Sequence, residues 1–399
     1  QGSLPLETIM SPSIKYAEEG FKILPGESLR QKSEIKKLLE FEGTKFHFLK
    51  NDLKNYNPGE VFIQNDLAIL LKRISKKGHK GFYEGETAKL IVDDINKNGG
   101  YLSKKDLKNY KALDSKILTG KFNKYKVFSL FLPSYGALTI QILQIMDQFK
   151  NLNNEEKWSV LIGKTTKLSY SYRHLQENKD SLFRILSYEK AKNDALMLIN
   201  NNYFIEEKTE ISEISAEKIG HTTHLTTADR YGNVVSLTQT IGPSMGSKVV
   251  TKGLGFLYAV TSGSYLGMYE PGKRVHSFIS PTLIGKNEKI ILALGGAGGN
   301  KIVTAISQVA SRYFQQNKSL KDALFYPRFY PDNDTLLIED HLELKNLSLK
   351  TNSKNLNFKF INEKARFGRI HAVAMDTINN LWIGEADPDW EGTVEVLKN

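Results

Sequence analysis

Gly220-His221-Thr222-Thr223-His224-Leu225-Thr226-Thr227-Ala228-Asp229-Arg230-Tyr231-Gly232-Asn233-Val234-Val235-Ser236-Leu237-Thr238-Gln239-Thr240 changes character at Thr222. Residues 222–228 are rich in β-favouring side chains, and 234–241 form a second such run. Between them Arg230-Tyr231-Gly232-Asn233 carries a Gly-Asn pair, so the stretch predicts a two-stranded hairpin. Immediately before it, residues 203–219 are polar and charged, with Glu206, Glu207, Lys208, Glu210, Glu213, Glu217 and Lys218. That composition predicts an exposed, mobile segment running abruptly into a strand.

Working outward, residues 4–150 read mostly as helices, with apolar stripes through Ile9, Ile14, Ala17, Phe21 and Ile23, through Leu67, Leu70, Leu71 and Ile74, and through Ala88, Leu90, Ile91 and Ile95. Asn98-Gly99-Gly100 stops the last of these. A strand is expected over 125–132, a turn at Pro133-Ser134-Tyr135-Gly136, and a helix over 137–149. Residues 151–200 read as helical again. On the far side of the hairpin a buried strand, 290–294, runs into Gly295-Gly296-Ala297-Gly298-Gly299, with a helix over 302–314 and closing strands over 370–375 and 381–386. No internal repeat is visible. Helices, linker, sheet, helices and sheet in that order imply stacked layers rather than a doubly wound sheet.

The 399 residues, 40% of them hydrophobic, are ample for a large core. No apolar run is long enough for a transmembrane segment, and none of the features of a signal peptide follows Gln1. Zero cysteines exclude disulfides, thiolate metal sites and a cysteine nucleophile. The formal charge is +11, but the lysines are scattered among Asp, Glu and Asn, so no nucleic-acid partner is expected. A solvated, lysine-rich surface is the plainer account; a taste for anionic substrates is the second.

A polar linker that ends at Gly220-His221-Thr222 suits a self-processing hydrolase. Cleavage before a threonine leaves a hydroxyl and an amine on one residue, and the amine can take the proton from the hydroxyl. On local composition alone the plainer reading leads: Thr222, Thr223, Thr226 and Thr227 are β-favouring residues of an edge strand.

The wider pattern shifts that balance. Thr222-Thr223-His224-Leu225-Thr226 followed by 232–240 resembles the start of the small subunit in gamma-glutamyltranspeptidases. Lys273-Arg274, Ser277 and Ser280-Pro281-Thr282 resemble that family's serine-containing loop, 295–300 its paired-glycine loop, and Asp387-Pro388 with Trp390-Glu391-Gly392 its closing motif. Upstream, Leu4-Pro5, Pro12-Ser13-Ile14, Phe82-Tyr83-Glu84-Gly85-Glu86-Thr87-Ala88, 98–102 and 133–136 resemble the large subunit in order.

The resemblance implies the four-layer α/β/β/α sandwich of N-terminal-nucleophile hydrolases, with a large-subunit segment 1–221 and a small-subunit segment 222–399 cut from one precursor and forming one composite domain. It implies cleavage between His221 and Thr222, Thr222 as nucleophile, Thr240 orienting it, and Gly298 and Gly299 donating N–H groups to an oxyanion. No metal or organic cofactor is implied; the partner is a small-molecule or peptide amide. The family points to the periplasm or cell exterior. Its large subunit carries further residues before the position of Leu4, so sheet edges are expected to be poorly covered.

The departures concern substrate. Ser277 matches one of two adjacent serines, but the second is Phe278; the Asn expected after the orienting threonine is Gly242. The loop Thr261-Ser262-Gly263-Ser264 lacks the family's Gln and Asp, and the family's clamping Arg falls outside these residues. An acyl group less polar than glutamyl is therefore favoured, with a non-catalytic scaffold as the alternative from another class. His224 and His371 read as buried strand residues rather than ligands, His276 as a loop residue able to contact substrate, and Asp387 and Glu391 as turn or capping residues.

Overall fold

The computed structural model describes residues 2–200, 222–261, 270–333, 335–340, 357–362 and 367–397. The polar segment before the hairpin, His221 and Ser262-Gly263-Ser264 lie outside the described residues. The chain divides into two compact units, Gln1–Asp114 with Ile241–Val260, and Ser115–Thr240 with Thr261–Asn399. This division follows packing, whereas the boundary expected after 221 is a covalent one.

The first unit is helical, as the stripes predict. Helices Leu6–Glu19, Pro25–Leu38, Asn65–Lys77 and Gly85–Lys97 enclose Ile23, Leu38, Phe48 and Phe62 on one side and Leu70 and Ile91 on the other. The first stripe does not run through Phe21. Gly20, at φ 81°, ends the helix, and Phe21–Lys22 (β1) pairs with Val61–Phe62 (β2). Residues 241–260 complete this unit: Thr44 donates to the Lys248 carbonyl at 2.6 Å, and Thr251 to Asp94 at 2.7 Å.

The second unit is built on an antiparallel six-stranded sheet. Its strands are Ile117–Phe122 (β3), Tyr125–Leu130 (β4), Thr282–Lys286 (β7), Lys289–Ala297 (β8), Arg369–Asp376 (β12) and Leu381–Ala386 (β13), in the order β13-β12-β8-β7-β4-β3. Helices Gly136–Met146 and Lys301–Gln315 cover one face, burying Ala137, Ile140, Leu143, Ile302, Ile306 and Val309 against Val127, Ile284, Leu292 and Ile370. Every residue of Gly136–Met146 is buried, the mark of a helix packed on all sides.

The hairpin Thr222–Ala228 (β5) and Val234–Thr240 (β6) lies on the opposite face of the sheet, with Ser236 Oγ donating to the Leu294 carbonyl at 3.1 Å. Helix layer, six-stranded sheet and hairpin are thus stacked. On the hairpin's outer face Leu225, Val235 and Leu237 are exposed. A three-stranded sheet, Phe329–Asp332 (β9), Thr335–Glu339 (β10) and Asn357–Ile361 (β11), was not legible in the sequence, nor were β3 and β7.

Candidate active site

Strand periodicity divides the hairpin into two faces. Thr222, His224 and Thr226 of β5, with Thr240, Thr238 and Ser236 opposite them, face the six-stranded sheet; Thr223, Leu225 and Thr227 face away. At the open end of the inner face Thr222 pairs with Thr240, and the Thr222 hydroxyl donates to Thr240 Oγ1 at 3.1 Å. The sequence-expected nucleophile and its orienting residue therefore stand side by side, both half-buried.

The next inner pair anchors the hairpin. His224 Nδ1 is 2.7 Å from Thr238 Oγ1, and its ring lies flat on Gly295, where a Cβ would come within 2.3 Å of the imidazole. Glycine at 295 is thus a packing requirement of the histidine above it. His371 Nδ1, on β12, lies 3.0 Å from the His224 carbonyl oxygen, and Gly392 makes room for its ring in the same way. Burial, with a smaller contribution from His371, pushes the His224 imidazole down to about 3. Its Nε2 has no hydrogen-bond partner among the described residues.

The sign of the pH effect follows. Below about 6.5 the unfolded chain takes up a proton at this position, while the folded chain does not until about pH 3. Stability from neutral His224 is complete above 6.5 and lost as pH falls, by up to about 1.4 kcal/mol per pH unit. Unfolding midpoints of wild type and His224→Gln compared at pH 6.5 and 4.5 should show a shallower acid loss in the variant. Parallel losses would count against the assignment.

Ser236 on Leu294 and His224 on Gly295 lay the hairpin over β8, the strand that runs on into Gly298 and Gly299. These residues take φ of 137° and 61°, which favour glycine. A Cβ on Gly298 would approach Gly368 Cα to 2.7 Å, whereas one on Gly299 would meet nothing within 4 Å. The loop is tightly supported behind and open in front. Its carbonyls accept from Lys301 and Ile302, starting helix Lys301–Gln315, whose N-terminal end is favourable to negative charge.

Asp387 is more than a turn residue. It is 2% exposed, accepts from Arg328 at 2.5 Å and from the Ile370 backbone N–H at 2.8 Å, while Arg328 also donates to the carbonyl of Gly368 behind the glycine loop. A buried ion pair thus braces the wall on which Gly298 rests.

The other expected site residues are placed as follows. Ser277 is half-buried, its backbone N–H donating to the Pro133 carbonyl at 2.8 Å. Phe278, at the position of the family's second serine, is 7% exposed, between the rings of Tyr135 at 4.9 Å and Tyr170 at 6.2 Å. His276 Nδ1 is 3.4 Å from the Tyr135 hydroxyl and 3.8 Å from Glu177. Gly242, at φ 93°, belongs to the first unit. The residues that the sequence reading passed over are Tyr135, Tyr170 and Arg173; the signal available was an aromatic-rich helix end, Tyr170-Ser171-Tyr172-Arg173.

Among the described residues no group of His, Asp and Glu is arranged to hold a metal ion, and no helix is long and apolar enough to cross a membrane.

A family model described as gamma-glutamyltranspeptidase matches residues 1–397. The capsule biosynthesis protein CapD proenzyme of Bacillus anthracis is 29% identical, over 98% of this chain and 72% of its own length. A glutathione hydrolase proenzyme of Bacillus subtilis is 28% identical over 98% and 71%. The acylase ACY 1 proenzyme of a Pseudomonas strain is 27% identical over 85% and 62%. Among solved structures, the cephalosporin acylase from Bacillus halodurans superposes with a TM-score of 0.82 at 23% identity, covering 98% of this chain and 76% of that one. That likeness shows the fold: the sandwich of N-terminal-nucleophile type expected from the sequence.

Proposed function

This chain belongs to the gamma-glutamyltranspeptidase family, and from that premise we propose that it is a self-processing amidase or acyltransferase whose nucleophile is Thr222. The supporting observation is the 3.1 Å hydrogen bond between the Thr222 and Thr240 hydroxyls, on the hairpin face that looks toward the six-stranded sheet. Cleavage of the His221–Thr222 bond gives Thr222 a free α-amine and divides the chain into segments 1–221 and 222–399. That amine takes the hydroxyl proton as Oγ1 bonds to the substrate carbonyl carbon. The tetrahedral oxyanion is held by N–H groups of Gly298 and Gly299. Collapse breaks the C–N bond, the leaving amine receives the proton, and an acyl ester remains on Thr222. Water or a second amine then attacks the ester and restores the hydroxyl.

Two substrate classes follow from this chemistry: gamma-glutamyl amides, and other acyl amides. Gly242 and the burial of Phe278 favour the second, since both remove polar contacts expected of a glutamyl site. A non-catalytic scaffold is disfavoured by the intact threonine pair. The same family reading puts the protein in the periplasm or outside the cell.

Thr240→Ala tests the pairing. It should lower kcat on an amide substrate, and the rate of self-cleavage, by roughly 10²–10³-fold, the scale of losing one positioned donor or orienting contact. Unchanged rates in both assays would remove Thr240 from the mechanism.

A further inference from the structure

Arg173 opens a short 3-10 turn, Arg173–Glu177, that follows helix Glu155–Ser171. It is half-buried, and its guanidinium carbon lies 5.1 Å from the ring centre of Tyr135 and 4.9 Å from that of Phe278. Its Nε donates to the Tyr135 hydroxyl at 2.9 Å. Among the described residues no carboxylate stands within ion-pair distance of it, and its terminal nitrogens donate no hydrogen bond. The fully buried arginines differ: Arg312 is paired with Glu155 and Arg328 with Asp387. Glu177, the nearby acid, lies instead by His276 and is largely exposed.

A guanidinium offers five N–H donors in a planar fork, and stacking on aromatic rings leaves the fork's edge available for a bidentate carboxylate. The surroundings tie that edge to the candidate active site. Phe278 is the neighbour of Ser277 in the serine loop. On its other side Phe278 stacks on Tyr170, whose hydroxyl donates to the carbonyl of Asn300, the residue after Gly299. Phe278, which takes a hydroxyl away from the loop, thereby supplies the floor on which Arg173 lies.

We propose that Arg173 is a specificity-determining residue that binds a carboxylate of the substrate beside Ser277. The inference rests on the reading of the Thr222 site given above and deepens it. The site has lost contacts for an α-amino group and holds a guanidinium for an acid, so its substrate class is amides that carry a carboxylate.

Calorimetric titration of the purified protein with succinate and glutarate, each beside the diol of the same length, tests this without any cleavable bond. Turnover does not enter, so failure of the Thr222 mechanism is read separately, in amide hydrolysis. The diacids should bind roughly 10- to 100-fold more tightly than the diols, the scale of a charge-assisted hydrogen-bond pair. Arg173→Gln should abolish the preference, and Arg173→Lys, which keeps the charge but not the fork, should retain part of it. Melting curves identify any misfolded variant, in which case the wild-type preference and Arg173→Lys decide. Equal binding of diacid and diol by wild type, or an undiminished preference in folded Arg173→Gln, would overturn the proposal.

Discussion

Thr222→Ala should remove both self-cleavage and hydrolysis of every amide the wild type accepts, a fall in kcat on the order of 10⁴–10⁶-fold. The substitution deletes the attacking oxygen, and by preventing cleavage it also withholds the α-amine that would take the proton. No neighbouring hydroxyl is placed to substitute. Thr223 faces away from the sheet, and Thr240, although on the inner face, has its nitrogen inside a peptide bond of β6. Thr222→Ser keeps hydroxyl and amine and should keep measurable activity. Intact-mass measurement and a chromogenic amide assay on the same preparations report the two effects, and amide turnover by Thr222→Ala would refute the mechanism.

The second large effect concerns substrate choice. A site built around buried polar contacts rejects a partner that cannot satisfy them by ~10⁴–10⁵-fold, whereas a site lacking those contacts rejects a substrate that adds a polar group by about 10²-fold. Gly242 offers no side chain, Phe278 places a ring in the core where a hydroxyl is expected, and Thr261 begins a loop whose sequence carries neither Gln nor Asp. The kcat/KM for gamma-glutamyl-p-nitroanilide should therefore be lower than for anilides of acyl groups without the α-amino charge, by about 10²-fold. Parallel assays across such a panel check it. Efficient, saturable turnover of the glutamyl compound would contradict the altered-pocket account.

The hairpin was legible because its information is local: β-branched runs, a Gly-Asn turn and period-two alternation fix which residues share a face. The glycine run was legible as a strand-to-helix junction, but not the division of labour within it. Gly295 is glycine because the His224 ring lies on it, whereas Gly298 and Gly299 are glycine for their backbone angles. Such a distinction depends on contacts across about seventy residues of chain. β7 and β9 left no readable pattern for another reason: they are five and four residues long and are interrupted by Gly285 and Pro331, although each pairs with the strand that follows it. Asp387 looked like a turn former because its partner, Arg328, is remote in sequence and buried with it. Arg173 was hidden inside a helical stretch, and only its aromatic neighbours, gathered from two distant segments, mark it as unusual.

The central claim is that Thr222 becomes a free N-terminal nucleophile. Its most direct test is mass spectrometry under denaturing conditions on an active preparation, before and after brief exposure to a slowly turned-over amide. The account predicts a fragment that begins at Thr222, and after exposure a mass increase equal to the acyl group, located by peptide mapping on Thr222. An active preparation containing only chain uncut between His221 and Thr222, or an acyl group mapped to any other residue, would contradict it.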